Sequence, residues 1–236
     1  MTAPANYIIA VTGMLAEARI AERAQGVKAI AGGGDCARLA AHLERAIDRN
    51  VRGILSFGIA GGLAPSVKPG DIVVADAVVA GSERYTADTG WTQRLAACLP
   101  DARLALIASS EFAIATSAAK AELYRASGAI AVDMESHVAA RAAAKHGLPF
   151  AVLRVVADHA GRALPPAALA GLGPGGAINI AGVLKSLARQ PSQLPQLLRV
   201  SADTNTAMKA LLRSFRTVSE ALGPGLGAGL GSADLG

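Results

Sequence analysis

AIAVDMESHVAARAAAKHGLPFAVLRVVADHA (129–160) is the stretch from which the rest of the chain is read. It reads as a short strand at 129–132, an acidic corner at Asp133-Met134-Glu135, a helix from Ser136 to about His146, and a buried strand at 150–156 that ends on Asp158. Alanine favours the helix, Gly147 can supply the left-handed residue that closes it, and Pro149 forbids its continuation. A strand, helix, strand unit of this length implies parallel strands. In open parallel sheets the ligand crevice lies at the carboxyl ends of the strands, so Glu135 and Asp158 are expected to share one site. The alternative is that Glu135 only favours a helix N-terminus and Asp158 only caps a loop.

Upstream, strand and helix alternate. Apolar 7–11 leads through Thr12-Gly13 into an amphipathic helix carrying Glu17 and Arg19. A strand at 27–31 meets Gly32-Gly33-Gly34-Asp35, and 37–48 has helical spacing. A third strand, 53–57, runs into GIAGGL (58–63) and the punctuating PSVKPG (65–70), before a long β-branched run at 71–79. Helix at 91–99, strand at 104–108 and helix at 117–126 complete the alternation. The fold class expected is α/β, a three-layer α/β/α sandwich with a mixed, mostly parallel central sheet.

Downstream of residue 160 the pattern changes. A Pro- and Gly-rich segment (161–176) precedes helical periodicity at 177–189 and 194–222. We therefore read 1–160 as the α/β core, 161–222 as a C-terminal helical extension of the same domain, and the Gly-rich 223–236 as a disordered tail. In the last helix Leu194, Leu197, Leu198, Met208, Leu211, Leu212 and Phe215 fall on one stripe, flanked by Arg199, Lys209, Arg213 and Arg216. Such a stripe either packs on the body or offers peripheral contact with a membrane surface.

Composition narrows the class. The 236 residues are 52% hydrophobic but contain no apolar run long enough to span a bilayer, and the N-terminus lacks a basic start and a cleavable apolar segment. A cytoplasmic enzyme is expected. Its two cysteines, Cys36 and Cys98, give no disulfide framework. The net charge of +5 is scattered rather than clustered with aromatics, which argues against nucleic acid. His42, His137, His146 and His159 have no ligand spacing, so no metal and no cofactor are expected. Gly58, Gly61 and Gly62 do not open a helix as a phosphate loop requires. They mark either a tight turn or a close backbone approach to a small ligand.

Three segments taken together, FGIAGGLAPSVKPGDIVVAD (57–76), VDMES (132–136) and FAVLRVVAD (150–158), resemble the purine nucleoside phosphorylase and methylthioadenosine/S-adenosylhomocysteine nucleosidase superfamily. The C-terminal third, with LPPAA (164–168) and RQPSQLPQLL (189–198), is similar to the hopanoid-associated phosphorylase branch, which is implicated in removing adenine from adenosylhopane.

The resemblance implies N-glycosidic bond cleavage by a homodimer or larger homo-oligomer. That chemistry generates an oxocarbenium-like sugar and a poor purine leaving group, and so calls for an acid at the base and negative charge near the sugar. By resemblance, Asp158 protonates the purine, Glu135 accepts hydrogen bonds from the ribose hydroxyls, and Met134 packs on the sugar. Phe112 stacks on the base, Ala113 reads its edge through the backbone, and Gly58, Ile59 and Ala60 lie against the substrate. Glu17 matches the carboxylate that orients water in hydrolytic members. In phosphorolytic members cationic groups hold phosphate as co-substrate, a role that would fall to Arg154 and Arg19. Ile59 stands where relatives carry a small polar residue, and Ala157 replaces a customary Ser or Thr. Both weaken a phosphate cradle and favour water. A generic purine nucleosidase or phosphorylase, and a non-catalytic nucleoside-binding module, are the competing readings.

Overall fold

The computed structural model describes residues 6–222. Among these, eight strands and eight helices alternate in the order β1 (Tyr7–Thr12), α1 (Leu15–Ala21), β2 (Val27–Ala31), α2 (Cys36–Ala46), β3 (Val51–Gly62), β4 (Ile72–Ala80), β5 (Glu83–Thr86) and α3 (Thr89–Cys98). Then come β6 (Arg103–Ser109), α4 (Ser117–Ser127), β7 (Ala131–Asp133), α5 (Ser136–His146), β8 (Phe150–Asp158), α6 (Pro166–Ala170), α7 (Ile180–Arg189) and α8 (Leu194–Leu222). The sheet is mixed and mostly parallel. Its order is β2-β1-β3-β7-β6-β4-β5, and β8 pairs with both β3 and β4, which closes β3, β8, β4, β6 and β7 into a ring.

Side-chain alternation along the strands feeds two cores. Ile9 and Val11 of β1, Ile54 and Ala60 of β3, and Val152 and Val156 of β8 face α2 and α5. Ile8, Ala10, Leu55, Phe57, Leu153 and Val155 face α1, α3 and α8. The layers are thus helix, sheet, helix, as the alternating sequence predicts. On the α8 side, Ala207, Ala210, Leu211, Phe215 and Val218 are buried, with the Phe215 ring 4.8 Å from Phe57.

Several local expectations are corrected. The glycines at 58–62 form no turn. They extend β3 to twelve residues, Gly58 to Gly61 pairing with β8 and Gly61-Gly62 with β7. β7 and β8 are not parallel: β3 runs parallel to β8 but antiparallel to β7, because the curled sheet brings β7 against the far end of β3 through two residue pairs only. β5, a four-residue edge strand, had no sequence signal apart from its neighbour. α7 begins at Ile180, after a bridge between Leu172 and Ile178 and an Asn179 cap on the Gly182 N–H.

The apolar stripe of α8 also divides. Leu211 and Phe215 are core, whereas Leu194 and Leu198 are exposed. Among the described residues no helix is long and apolar enough to cross a membrane. The expected disorder of 223–236 lies outside the described residues.

Candidate active site

Arg154 of β8 is the hub. Its face of the strand is that of Val152 and Val156, and its side chain is only 1% exposed. Nη2 donates to Ser56 Oγ (2.7 Å) and Glu135 Oε2 (3.3 Å), and Nη1 donates to the Ile59 carbonyl (3.2 Å). Nε lies 2.8 Å from Asp133 Oδ2. Asp133, at the end of β7, is itself held by Ser109 Oγ (2.6 Å), by the Ser136 N–H (3.1 Å) and by the Ser136 hydroxyl. Burying a guanidinium is tolerable only with this degree of pairing, and the same carboxylates hold it firmly protonated.

Glu17 arrives from the first turn of α1. Its Oε2 accepts the Gly13 and Met14 N–H groups (2.9 and 2.7 Å), and its Oε1 accepts the Ile59 N–H (2.8 Å). A carboxylate offers about four acceptor sites, so one remains, on Oε1. Burial raises the Glu17 pKa, against the opposing pull of Arg154 and the three N–H groups. Glu135 precedes α5 and has the larger spare capacity, since Arg154 is its one side-chain partner among the described residues. Its carboxyl is pushed up to about 7, chiefly by burial, which Arg154 opposes and the nearby Asp133 and Glu17 charges reinforce.

The close approach of these groups depends on missing side chains. A Cβ at Gly58 would lie 2.7 Å from Glu17 Oε1 and 2.8 Å from Arg154 Nη1, and a Cβ at Gly13 would lie 3.0 Å from Glu135 Oε1. The close backbone approach expected at the glycines is therefore to the protein's own carboxylate and guanidinium.

Asp158, at the end of β8, sits opposite Gly61. Its Oδ1 accepts the Gly62 N–H (2.9 Å), and its Oδ2 lies 2.5 Å from Nζ of Lys120. Glu17, Glu135, Asp158 and Arg154 are all buried, and Glu135 is joined directly to Arg154. Met134 lies over Gly34, whose Cβ would come 3.6 Å from its terminal methyl.

Other candidates are placed differently. Arg19 is on the exposed face of α1, away from Glu17. Phe112 is 76% exposed on the segment before α4, with Ala113 half-buried beside it. Ala60 packs into the α5-side core, while Ile59 and Ala157 pack toward α8, so neither Ile59 nor Ala157 presents its side chain to Arg154.

Sequence reading missed Lys120, Asp133, Ser56, Ser109 and Ser136. Asp133 was visible as part of the acidic corner. Lys120 lies in an ordinary polar helix, and only the packing of that helix reveals its burial.

Comparison with known proteins agrees with this architecture. The Phosphorylase superfamily matches residues 10–172. Among solved structures, 5′-methylthioadenosine/S-adenosylhomocysteine nucleosidase from Helicobacter pylori superposes with a TM-score of 0.62 at 16% identity, covering 89% of this chain and 97% of that one. Futalosine hydrolase from the same organism gives 0.60 at 16%, covering 89% and 97%. S-adenosylhomocysteine nucleosidase from Streptococcus pyogenes gives 0.58 at 16%, covering 92% and 98%. At these identities the likeness is one of fold. No curated protein matches by sequence. With more than half of its length matched by the family and the ring of carboxylates around Arg154 on the matched core, the chain belongs to the phosphorylase superfamily.

Proposed function

We propose that the chain hydrolyses the N-glycosidic bond of an adenine nucleoside that carries a large apolar 5′ substituent, adenosylhopane being the substrate that the C-terminal third suggests. Its membership makes it an enzyme of N-glycosyl bond cleavage. The choice of water rests on one observation: three buried carboxylates, Glu17, Asp133 and Glu135, lie around a single guanidinium that already pairs with Asp133 and donates to Ser56, the Ile59 carbonyl and Glu135. Such a site is complementary to a cationic sugar and hostile to a phosphate dianion. Glu17 would use its remaining acceptor site to orient the attacking water, Glu135 would take the ribose hydroxyls, and Asp158 would serve the leaving base.

Support for the apolar substituent comes from the surface beside the site. The turn at 174–176 lies on the start of α1, where a Cβ at Gly176 would come 2.7 Å from the Gly13 carbonyl oxygen. Leu15, Leu172 and Ile178 border that turn and are exposed, as are Ile180 and Leu184 on α7, a helix with no buried residue. Lys185, Arg189 and Arg199 add positive charge to the same region. A lipid-linked nucleoside could then be met at a membrane surface, with α7 and the start of α8 in contact, rather than the buried stripe of α8.

The test is adenine release in phosphate-free buffer from adenosylhopane in vesicles and from 5′-methylthioadenosine. Release from both, with the higher kcat/KM on the lipid nucleoside, is expected. Release from methylthioadenosine alone would discard the lipid substrate, and release from neither would discard the hydrolytic reading.

A further inference from the structure

Asp158 is half of an ion pair. Lys120 of α4 is fully buried, and its ammonium spends its three donors on Asp158 Oδ2 (2.5 Å) and on the carbonyls of His159 (3.2 Å) and Arg162 (3.1 Å). Lysine is almost never buried completely, because desolvating its charge is costly. It is also the one buried residue of α4, where an apolar side chain would satisfy packing. The ammonium thus holds both the carboxylate and the loop that follows it.

Resting on the hydrolytic reading above, we propose that Lys120 is a positioning residue for Asp158 and the reservoir of the proton that Asp158 passes to the leaving base. As the glycosidic C–N bond breaks, its electron pair departs with the purine. Asp158 Oδ2 takes a proton from Nζ and, as the carboxylic acid so formed, gives it to a purine ring nitrogen. The net transfer is one proton, leaving Lys120 as a neutral amine that regains its proton by way of Asp158 after the base has left. The oxygen of water forms the new bond to the sugar, and its proton leaves by way of Glu17.

The consequence is a pH dependence. With Nζ 2.5 Å from Oδ2, the proton that Asp158 passes on is drawn from a partner inside the site, whereas Asp158 without Lys120 would have to draw it from solvent. Among the described residues, few other groups face the pair. β3 presents the Gly61 and Gly62 backbone, the loop presents the His159 and Arg162 carbonyls, and the Arg162 guanidinium is tied to Asp203 of α8.

The experiment is the pH profile of kcat/KM on 5′-methylthioadenosine for the wild type, Lys120→Met, Asp158→Asn and the double variant. In Lys120→Met the basic limb is expected to move down by more than one pH unit, with a loss of about 10²-fold above neutrality that shrinks toward acid pH. The double variant should be no slower than Asp158→Asn, since Lys120 acts through Asp158. Should Lys120→Met fail to fold, the ratio of the double variant to Asp158→Asn decides the same question. A loss uniform across pH with an unmoved limb, or losses that multiply in the double variant, would reduce Lys120 to packing. A wild type that releases adenine at no pH, either from 5′-methylthioadenosine or from adenosylhopane in vesicles, would overturn the hydrolytic reading and this proposal with it, an outcome distinct from an active wild type with unshifted limbs.

Discussion

Glu135 shows how a single residue can trade stability against chemistry. Its carboxyl, pushed up from 4.5 to about 7, is more easily protonated in the folded protein than in the unfolded one. The stability that this confers is fully present below about pH 4.5 and lost as pH rises through about 7. Ionised Glu135 is what a cationic sugar needs, so wild-type kcat/KM should climb through about pH 7. Glu135→Gln should abolish that limb and lower kcat/KM by about 10²-fold or more. In thermal melts the variant should match the wild type near pH 4.5 and gain on it above pH 7. A variant that melts lower than the wild type at all pH values would mean that Glu135 is structural. At this scale the sequence was informative where a motif carried the residue, as at Glu17, Glu135 and Asp158. It was silent where burial alone makes the residue matter, as at Lys120.

At the scale of the element, β3 explains why the glycine-rich segment could not be read as structure. Alternation assigns positions 54, 56, 58 and 60 to one face. There Ile54 and Ala60 are core, Ser56 binds Arg154, and Gly58 leaves room for Glu17 and Arg154. Composition predicts a turn from these glycines, whereas tertiary contacts make them strand. Gly58, with φ of 152°, is the sharpest case. Gly58→Ala should displace the Glu17 carboxylate and cost about 10²-fold in kcat/KM while the fold persists, as circular dichroism would report. Wild-type turnover by this variant would show that Glu17 tolerates movement and is not set by β3. The antiparallel relation of β7 and β8 belongs to the same scale. Their connection is long enough for a parallel crossover, but sheet closure cannot be seen in one unit, and the acidic ends meet because both strands border β3.

For the whole molecule, the two cores and the order of nearly all elements were legible because hydrophobic periodicity is strong and Gly or Pro marks most boundaries. Which face of the C-terminal helices would be free was not legible, because a helix stripe does not say what covers it. α8 turns Leu211 and Phe215 inward, and Leu211→Ala should cost about 2–5 kcal/mol in denaturant unfolding. On the C-terminal helices the exposed large apolar residues are Ile180 and Leu184 of α7 and Leu194 and Leu198 at the start of α8, and the exposed Lys185, Arg189 and Arg199 lie on the same two segments. Co-sedimentation with anionic vesicles at low salt should therefore fall on joint replacement of Lys185, Arg189 and Arg199 by Gln. Unchanged recovery would leave that face for another partner.

Identification of the nucleophile by isotope bears most directly on the carboxylate-ringed site. Turnover of 5′-methylthioadenosine in heavy-oxygen water, with saturating phosphate present, should give adenine and a free sugar that carries one heavy oxygen at its anomeric carbon. A sugar 1-phosphate without the label would contradict hydrolysis, and would mean that Arg154 is released from its carboxylates to hold phosphate.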